Sequence, residues 1–138
     1  MSRTCVVVAD RARARLFVTA AGAERLGAEP SLALRELEAL TDPAGEPTGD
    51  EHAERHREER ERRFAKRIAG AVRELVARLE AERLVLAVEP HLLGLLRQQL
   101  HGSLHSTELV ELSRDFSWHT PQHILEALRH HGALSGAA

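Results

Sequence analysis

Three carboxylate residues fall where a sheet would bring them together. Asp10 follows the first predicted strand, Glu89 follows the fourth, and Asp115 follows the fifth. Residues that follow neighbouring parallel strands lie at one edge of the sheet, and carboxylate clusters at such an edge bind two magnesium ions in metal-dependent nucleases. A structural interpretation is also open, in which Asp10 accepts hydrogen bonds from turn N–H groups and Glu89 caps the helix that begins at Pro90. Because Asp10 lies past its strand rather than within it, the sequence favours the structural interpretation.

Arginines form the second group. Arg13 and Arg15 project from one face of the second predicted strand, and Arg11 precedes them near the turn. A basic segment further along carries five more: Arg55, Arg57, Arg60, Arg62 and Arg63. Such arginines either pair with acidic side chains or contact phosphates, so all eight are candidate residues for binding a nucleic acid or a ribosome. Trp118, beside His119, can stack on a base, although a single Trp is more often packed in a core.

Histidine spacing suggests metal binding only weakly. The chain has nine histidines, and three pairs are four residues apart: His52/His56, His101/His105 and His119/His123. Imidazoles at positions i and i+4 of one helix can share a zinc ion. Ala53 stands where a zinc protease has its glutamate, Gly102 interrupts the second pair, and Pro121 interrupts the third. Since no pair has an apparent third ligand, we expect neither a metal site nor a cofactor.

Residues 42–81 predict a polar, turn-rich loop followed by a long helix with two unlike halves. The second half carries apolar residues at the spacing of one buried face: Phe64, Ile68, Val72, Leu75, Val76 and Leu79. No large apolar residue occurs from Glu51 to Arg63, so the first half is expected to project roughly 15–20 Å beyond the core. Thr48 and Glu51 fit a capping box at its start, with Asp50 as an alternative cap.

We call residues 51–67 the arm. Between Glu54 and Arg67, seven basic side chains face four acidic ones, and Glu58–Arg62 and Glu59–Arg63 are favourable i,i+4 pairs. This pattern indicates either a solvated, salt-bridged helix face or an element that meets phosphate or another acidic surface. The loop at residues 42–52 is expected to be mobile, while the helix behind it is firm.

The other elements follow from apolar runs and alternation. Strands are predicted at residues 4–9, 13–20, 84–88 and 107–112, and a third strand at 32–40, where the pattern is ambiguous between strand and helix. Helices are expected after Pro90 and after Thr120-Pro121, each with proline in its first turn. The order βββαβαβα gives an antiparallel meander followed by parallel crossovers. This is the ribonuclease-H-like arrangement, an α/β fold in which helices cover a five-stranded mixed sheet.

Length and charge limit the possible functions. The 138 residues are enough for one domain, expected at residues 1–134 with a loose tail at 135–138. A formal net charge of −2 gives no global attraction to nucleic acid, so such a contact needs a local patch. Cys5, the single cysteine, is expected to be a small core residue. Neither a signal-peptide segment nor an 18-residue apolar stretch is present, so we expect a soluble cytoplasmic protein without membrane contact.

Four segments together resemble a known family. They are V-V-V-A-D-R-A-R-A-R-L-F from Val6, R-F-A-K-R-I-A from Arg63, L-V-L-A-V-E-P-H-L-L-G-L-L-R from Leu84 and S-R-D-F from Ser113. They look like the host attachment protein family, whose name reports attachment of a bacterium to host cells. That family resembles the central domain of archaeal and eukaryotic peptide-chain release factors and of the ribosome-rescue protein Pelota.

The resemblance implies a fold and a setting rather than a reaction. In a release factor, the loop before the long helix carries Gly-Gly-Gln, which enters the peptidyl-transferase centre. The corresponding stretch here, E-P-T-G-D-E-H at residues 46–52, has one glycine, Gly49, and no glutamine. Hydrolysis of peptidyl-tRNA is therefore not supported. The resemblance still implies association with a ribosome or with structured RNA.

The sequence thus predicts a non-catalytic binding module for a ribosome or structured RNA, with the arm as its contact element. A magnesium-dependent nuclease that uses Asp10 and Glu89 is the enzymatic alternative, and a protein-interaction domain linked to host attachment is the third hypothesis. Sequence-specific recognition of DNA is not expected. The oligomeric state does not follow from the sequence.

Overall fold

The computed structural model describes residues 3–21, 32–42, 53–104 and 106–134, without the side chains of residues 20, 21, 32 and 53–55. The expected loop, apart from Asp42, and the expected tail at 135–138 lie outside this part of the chain. The elements are β1 (Thr4–Ala9), β2 (Arg13–Ala21), β3 (Leu32–Thr41), α1 (Ala53–Leu79), β4 (Arg83–Val88), α2 (Pro90–Leu100), β5 (Glu108–Leu112) and α3 (Pro121–His130).

The five strands form one mixed sheet in the order β3-β2-β1-β4-β5. β1 pairs antiparallel with β2 and parallel with β4, and β4 pairs parallel with β5. The predicted βββαβαβα order and its ribonuclease-H-like arrangement are therefore confirmed. The ambiguous third segment is a strand, because it pairs antiparallel with β2 along its whole length, with a register shift at Leu16/Phe17.

The continuous apolar run of β1 is explained by burial on both faces of the sheet. Cys5, Val7 and Ala9 pack with α1 and α2 in one core cluster. Val6 and Val8 pack with α3 in a second cluster on the opposite face. Helices cover both faces, as strands buried on two sides require.

The long helix α1 begins to pack earlier than its apolar pattern predicts. Its buried stripe includes Phe64 and Ile68, as expected, but also Glu61, which is only 8% exposed. The expectation that nothing before Phe64 packs was therefore wrong. Residues 53–60 are the part that extends past this point, and at 1.5 Å per residue they span about 12 Å rather than 15–20 Å.

Proline and capping residues start the two shorter helices as expected. Glu89 caps α2, and Thr120 caps α3 by accepting a hydrogen bond from the His123 N–H. Gly102 and Gly132, just after these helices end, have φ values of 76° and 72°, which glycine adopts without strain. Within the described residues, no helix has the length and apolar character needed to cross a membrane.

Candidate functional site

The candidate residues gather at one edge of the sheet, which we call the carboxyl edge. β1, β4 and β5 end there, the antiparallel strand β2 starts there, and α2 and α3 begin there. After β1 the chain continues to β2 on one side, and after β4 it continues to β5 on the other side. Open α/β sheets bind ligands at the point where the connections from two neighbouring strands run in opposite directions. A shallow pocket of about 330 Å³ lies at this point, lined by Asp10, Arg11, Ala12, Glu89 and Asp115.

Asp10 uses both carboxylate oxygens in contacts within the protein. Oδ1 accepts hydrogen bonds from the backbone N–H groups of Ala12 and Arg13 at 2.8 and 2.9 Å. The hydroxyl oxygen of Ser117 lies 2.9 Å from Asp10 Oδ2 and 2.5 Å from Asp115 Oδ1, so those two carboxylate oxygens are about 5.4 Å apart at most. The expected approach of Asp115 to Asp10 is confirmed, and the buried Ser117 is what joins them.

Glu89 is likewise engaged at both oxygens. Oε1 accepts a hydrogen bond from the Leu92 N–H at 2.5 Å, and Oε2 lies 3.7 Å from Nε of Arg11. The structural interpretation of Asp10 and Glu89, as a turn residue and a helix cap, is confirmed. Within the described ranges, no group of three or more His, Cys, Asp and Glu side chains is arranged to hold a metal ion.

Arg11 connects the carboxyl edge to the base of the arm. Its guanidinium lies 3.9 Å from Glu61 on α1 and 3.7 Å from Glu89, and its side chain is 55% exposed. Glu61 also pairs with His91, whose Nε2 is 2.7 Å from Glu61 Oε2. Neither Glu61 nor His91 was among the candidate residues predicted from the sequence. The available signal was that Glu61 lies three and seven residues before Phe64 and Ile68, in phase with the buried stripe.

Arg15, predicted as a candidate phosphate contact, is bonded to groups of the protein itself. Its Nε and Nη2 donate to Glu36 Oε1 at 3.0 and 2.6 Å. Its Nη1 donates to the backbone carbonyls of Ser117 and His119 at 3.2 and 2.6 Å. With its side chain only 12% exposed, Arg15 clamps the stretch of chain on both sides of Trp118. This is the paired, partly buried arrangement that was the alternative to a phosphate contact.

Trp118 lies outside the core. It is 75% exposed, and the Arg13 guanidinium lies over its ring, 4.6 Å from the centroid. A guanidinium at this distance is attracted to the indole face by a cation–π interaction. The common expectation that a single Trp packs in a core was wrong here. The half-buried Arg13 and the exposed Trp118 form a pair at the carboxyl edge.

The arginines of the arm do not share one face of α1. Arg57 lies one turn before the buried Glu61 and so on the same side of the helix, yet it is exposed because it lies beyond the packed stripe. Arg62 and Arg63 lie on the outer side, 64% and 74% exposed, with Glu58 and Glu59 at 3.9 and 3.6 Å. The two predicted i,i+4 pairs are thus confirmed.

Arg60 and Arg55 are the two remaining predicted arginines of the arm. Arg60 is half-buried. Arg55 lies within α1, but its side chain is outside the described set, so its part in the arm stays a prediction. At the inner end of the arm, Arg67 donates a hydrogen bond to the Thr41 carbonyl at 3.1 Å, which ties α1 to the end of β3.

The other candidate residues have simpler surroundings. His119 and His123 contact each other edge to face, with ring centroids 6.4 Å apart. His52 and His105, members of the other two histidine pairs, lie outside the described residues. Cys5 is fully buried as expected, and burial raises the pKa of its thiol from 9.0 to about 11.

Fold and site together define an α/β protein whose ribonuclease-H-like sheet presents a polar, arginine-containing edge. A family model described as "Protein required for attachment to host cells" matches residues 5–128. The chain belongs to this family. Among curated proteins, no sequence matches the chain.

One solved structure with a similar fold is that of RuvC from Thermus thermophilus. Its sequence identity to this chain is 15%, and the TM-score is 0.48. The aligned region covers 78% of this chain and 60% of the RuvC chain, so the protein spans less than two thirds of that chain's length.

Proposed function

We propose that this protein is a non-catalytic, cytoplasmic module that binds RNA or a ribosome, and that the arm contacts phosphates. The observation that carries the proposal is the exposure of Arg57, Arg62 and Arg63 on a helix that continues past the end of the packed core. Within the part of the chain that the structure describes, Arg62 and Arg63 are held by exposed, long ion pairs within the helix. Such pairs stabilise a helix by about 0.3–0.5 kcal/mol each. Phosphates can replace such partners at little cost.

The family resemblance supports the same setting. The host attachment protein family resembles the central domains of release factors and Pelota, which work on the ribosome. The four sequence segments that resemble the family belong to β1–β2, α1, β4–α2 and the stretch after β5. Residues 46–52, which would carry the hydrolytic Gly-Gly-Gln, have neither the second glycine nor the glutamine. The proposal is therefore binding without peptidyl-tRNA hydrolysis.

The test is co-sedimentation with ribosomes, and binding to a labelled structured RNA, at graded salt. The variant carries Arg57→Gln, Arg62→Gln and Arg63→Gln. The matched control neutralises three exposed arginines elsewhere, Arg35, Arg78 and Arg129. Each lost phosphate contact lowers the slope of log affinity against log salt by about 0.7–0.9, so the arm variant should lose at least this much, and about 2–3 units if all three arginines contact phosphates.

Equal binding by the arm variant, the control and the unmodified protein would remove the arm from the functional account. Retained ribosome binding together with no RNA binding would favour the third hypothesis, a protein-interaction domain. Both outcomes are measurable on the intact chain, because the replaced side chains are exposed and surface substitutions usually change stability by no more than about 0.5 kcal/mol.

A further inference from the structure

We propose that Trp118 is a stacking platform for an unpaired base, so that the part of the RNA bound at the carboxyl edge is single-stranded. The inference rests on the proposed function only in that the partner is RNA. The inference concerns a different element from the arm. The arm belongs to α1, which packs on the opposite face of the sheet from α3. Trp118 and its supporting contacts carry it.

Trp118 is exposed on a firmly held backbone. We call residues 113–120 the Trp118 segment. Ser117, just before the indole, is fully buried, and its hydroxyl lies between Asp10 and Asp115. The carbonyls on either side of Trp118 both accept hydrogen bonds from Arg15. The residue after His119, Thr120, caps α3. An exposed indole on a fixed backbone loses little conformational freedom when it binds a ligand.

The surface around the indole carries cationic side chains. Arg13 lies over the Trp118 ring, and Arg11 and Arg114 are exposed on the same edge of the sheet. An aromatic ring beside cationic side chains suits a base and its phosphates, because stacking accepts any base and the cations track the backbone. Both faces of a base within a duplex are already covered by its neighbours, so the platform requires an unpaired one.

The surroundings of Trp118 suit RNA better than a protein partner. Among the described residues, the one other exposed large apolar side chain is Leu109, 37% exposed, on β5. Leu109 pairs with Leu84 near the start of β4, at the opposite edge of the sheet from Trp118. Protein-binding surfaces surround their aromatic residues with a buried apolar patch. Trp118 has charged and polar neighbours instead.

The experiment uses Trp118 as its own reporter, because it is the only tryptophan in a chain without tyrosine. The probes are a single-stranded RNA of about ten nucleotides and the same RNA annealed to its complement. Two signals are recorded on the intact protein: anisotropy of the labelled RNA, which reports binding, and Trp118 emission, which reports stacking. We expect single-stranded RNA to quench the emission and duplex RNA to leave it unchanged.

Variants test the same inference through affinity. Trp118→Ala should weaken single-strand binding roughly tenfold or more, since stacking on an aromatic side chain strengthens binding by this factor per base. Trp118→Phe should restore part of the loss, and Leu109→Ala, the control at the other exposed apolar residue, should change nothing. Arg15 is a positioning residue, so Arg15→Lys should reduce the quenching at saturating RNA while the RNA still binds through the arm.

The possible failures are distinguishable. Salt-dependent RNA binding without any change in Trp118 emission overturns the base-stacking inference and leaves the proposed function standing. Absence of RNA binding by anisotropy overturns the base-stacking inference, and it overturns the proposed function as well if the protein also fails to co-sediment with ribosomes. A blue shift of the emission with RNA-free ribosomal proteins, and none with RNA, assigns Trp118 to a protein surface and also overturns the inference. An unchanged melting temperature for Trp118→Ala and Leu109→Ala confirms that folding does not cause the differences.

Discussion

The arm and the Trp118 segment lie at the same edge of the sheet but are held in opposite ways. α1 packs on one face with Cys5 and Val7, while α3 and Phe116 pack on the other face with Val6 and Val8. In the arm, residues 56–59 are exposed, and the buried Glu61 behind them contacts Arg11 and His91. The Trp118 segment is fixed on both sides of its exposed residue by Arg15 and Ser117.

The difference in attachment suits the two proposed contacts, phosphate binding by the arm and base stacking on Trp118. Attraction between an arginine and a phosphate acts over several ångströms in any orientation, so a helix extension with mobile side chains is sufficient. Stacking needs the ring at one distance and one angle, which a firmly held backbone provides. We therefore expect substitutions in the arm to change salt dependence. Substitutions beneath Trp118 should change geometry and stability.

The largest expected effect separates the two halves of α1. Ile68→Ala should lower the free energy of unfolding by about 2–5 kcal/mol, because Ile68 is fully buried and its removal leaves a cavity. Arg63→Ala, five residues earlier in the same helix and 74% exposed, should change it by no more than about 0.5 kcal/mol. Urea denaturation measures both. A cost below about 1 kcal/mol for Ile68→Ala would mean that α1 is not the packed element described here.

The second prediction concerns β1, the strand between the two faces. Burial raises the pKa of Cys5 to about 11, whereas the unfolded thiol has its ordinary value of 9.0. Between these pH values the unfolded chain releases a proton that the native protein keeps, so stability falls as the pH rises. At about 1.4 kcal/mol per unit, the loss is about 2–3 kcal/mol by pH 11.

The measurement is urea denaturation from pH 7 to 11, compared with Cys5→Ala, which lacks the thiol. The chain has no tyrosine, and Lys66 is its one lysine, so few other groups titrate in this range. If the free energy of unfolding falls equally with pH in both proteins, ionisation of Cys5 is not the cause of the loss. Below pH 9, the native protein should also react with a thiol reagent only as fast as it opens.

The third prediction tests the clamp beneath Trp118. Arg15→Ala removes charge-assisted hydrogen bonds to Glu36 and to two backbone carbonyls, so the free energy of unfolding should fall by about 1–3 kcal/mol. The matched control is Arg97→Ala, which breaks the ion pair with Glu111 at a side chain that is 59% exposed and should cost less than about 1 kcal/mol. Steady-state anisotropy of Trp118 should decrease in the first variant alone. Equal anisotropy in both would show that Arg15 does not hold the segment.

Local patterns in the sequence were enough to predict most of the fold. The apolar run of β1, the alternation of β2 and the proline starts of α2 and α3 each depend on residues close together in the chain. β3 was ambiguous because its apolar residues at 34, 37 and 40 suit a helix as well as a strand, and its pairing with β2 decided the matter. The buried Glu61 was missed because the pattern was read from apolar residues alone.

The site was predicted where its contacts are local or follow from the order of the strands. The approach of Asp10 and Asp115 followed from the parallel strands β1, β4 and β5. The pairs Glu58–Arg62 and Glu59–Arg63, the Asp10 turn and the Glu89 cap join residues at most four positions apart. The exposure of Trp118 depends on hydrogen bonds from Arg15, more than one hundred residues earlier in the chain. No spacing rule reports such a contact, so neither the clamp nor the exposed indole followed from the sequence.

The last and smallest effect concerns which side of the arm binds. Arg57 faces the same side of α1 as the buried Glu61, toward the carboxyl edge, whereas Arg62 and Arg63 face away from the core. If one RNA strand runs from Trp118 across the edge to the arm, Arg57→Gln should lower the salt slope by about 0.7–0.9, and Arg62→Gln or Arg63→Gln should lower it less. None of the three should change stability by more than about 0.5 kcal/mol. A larger change of slope for Arg62 or Arg63 would place the phosphates on the outer side of α1, where they could not belong to the strand that stacks on Trp118. The arm and the Trp118 segment would then bind separate parts of the partner.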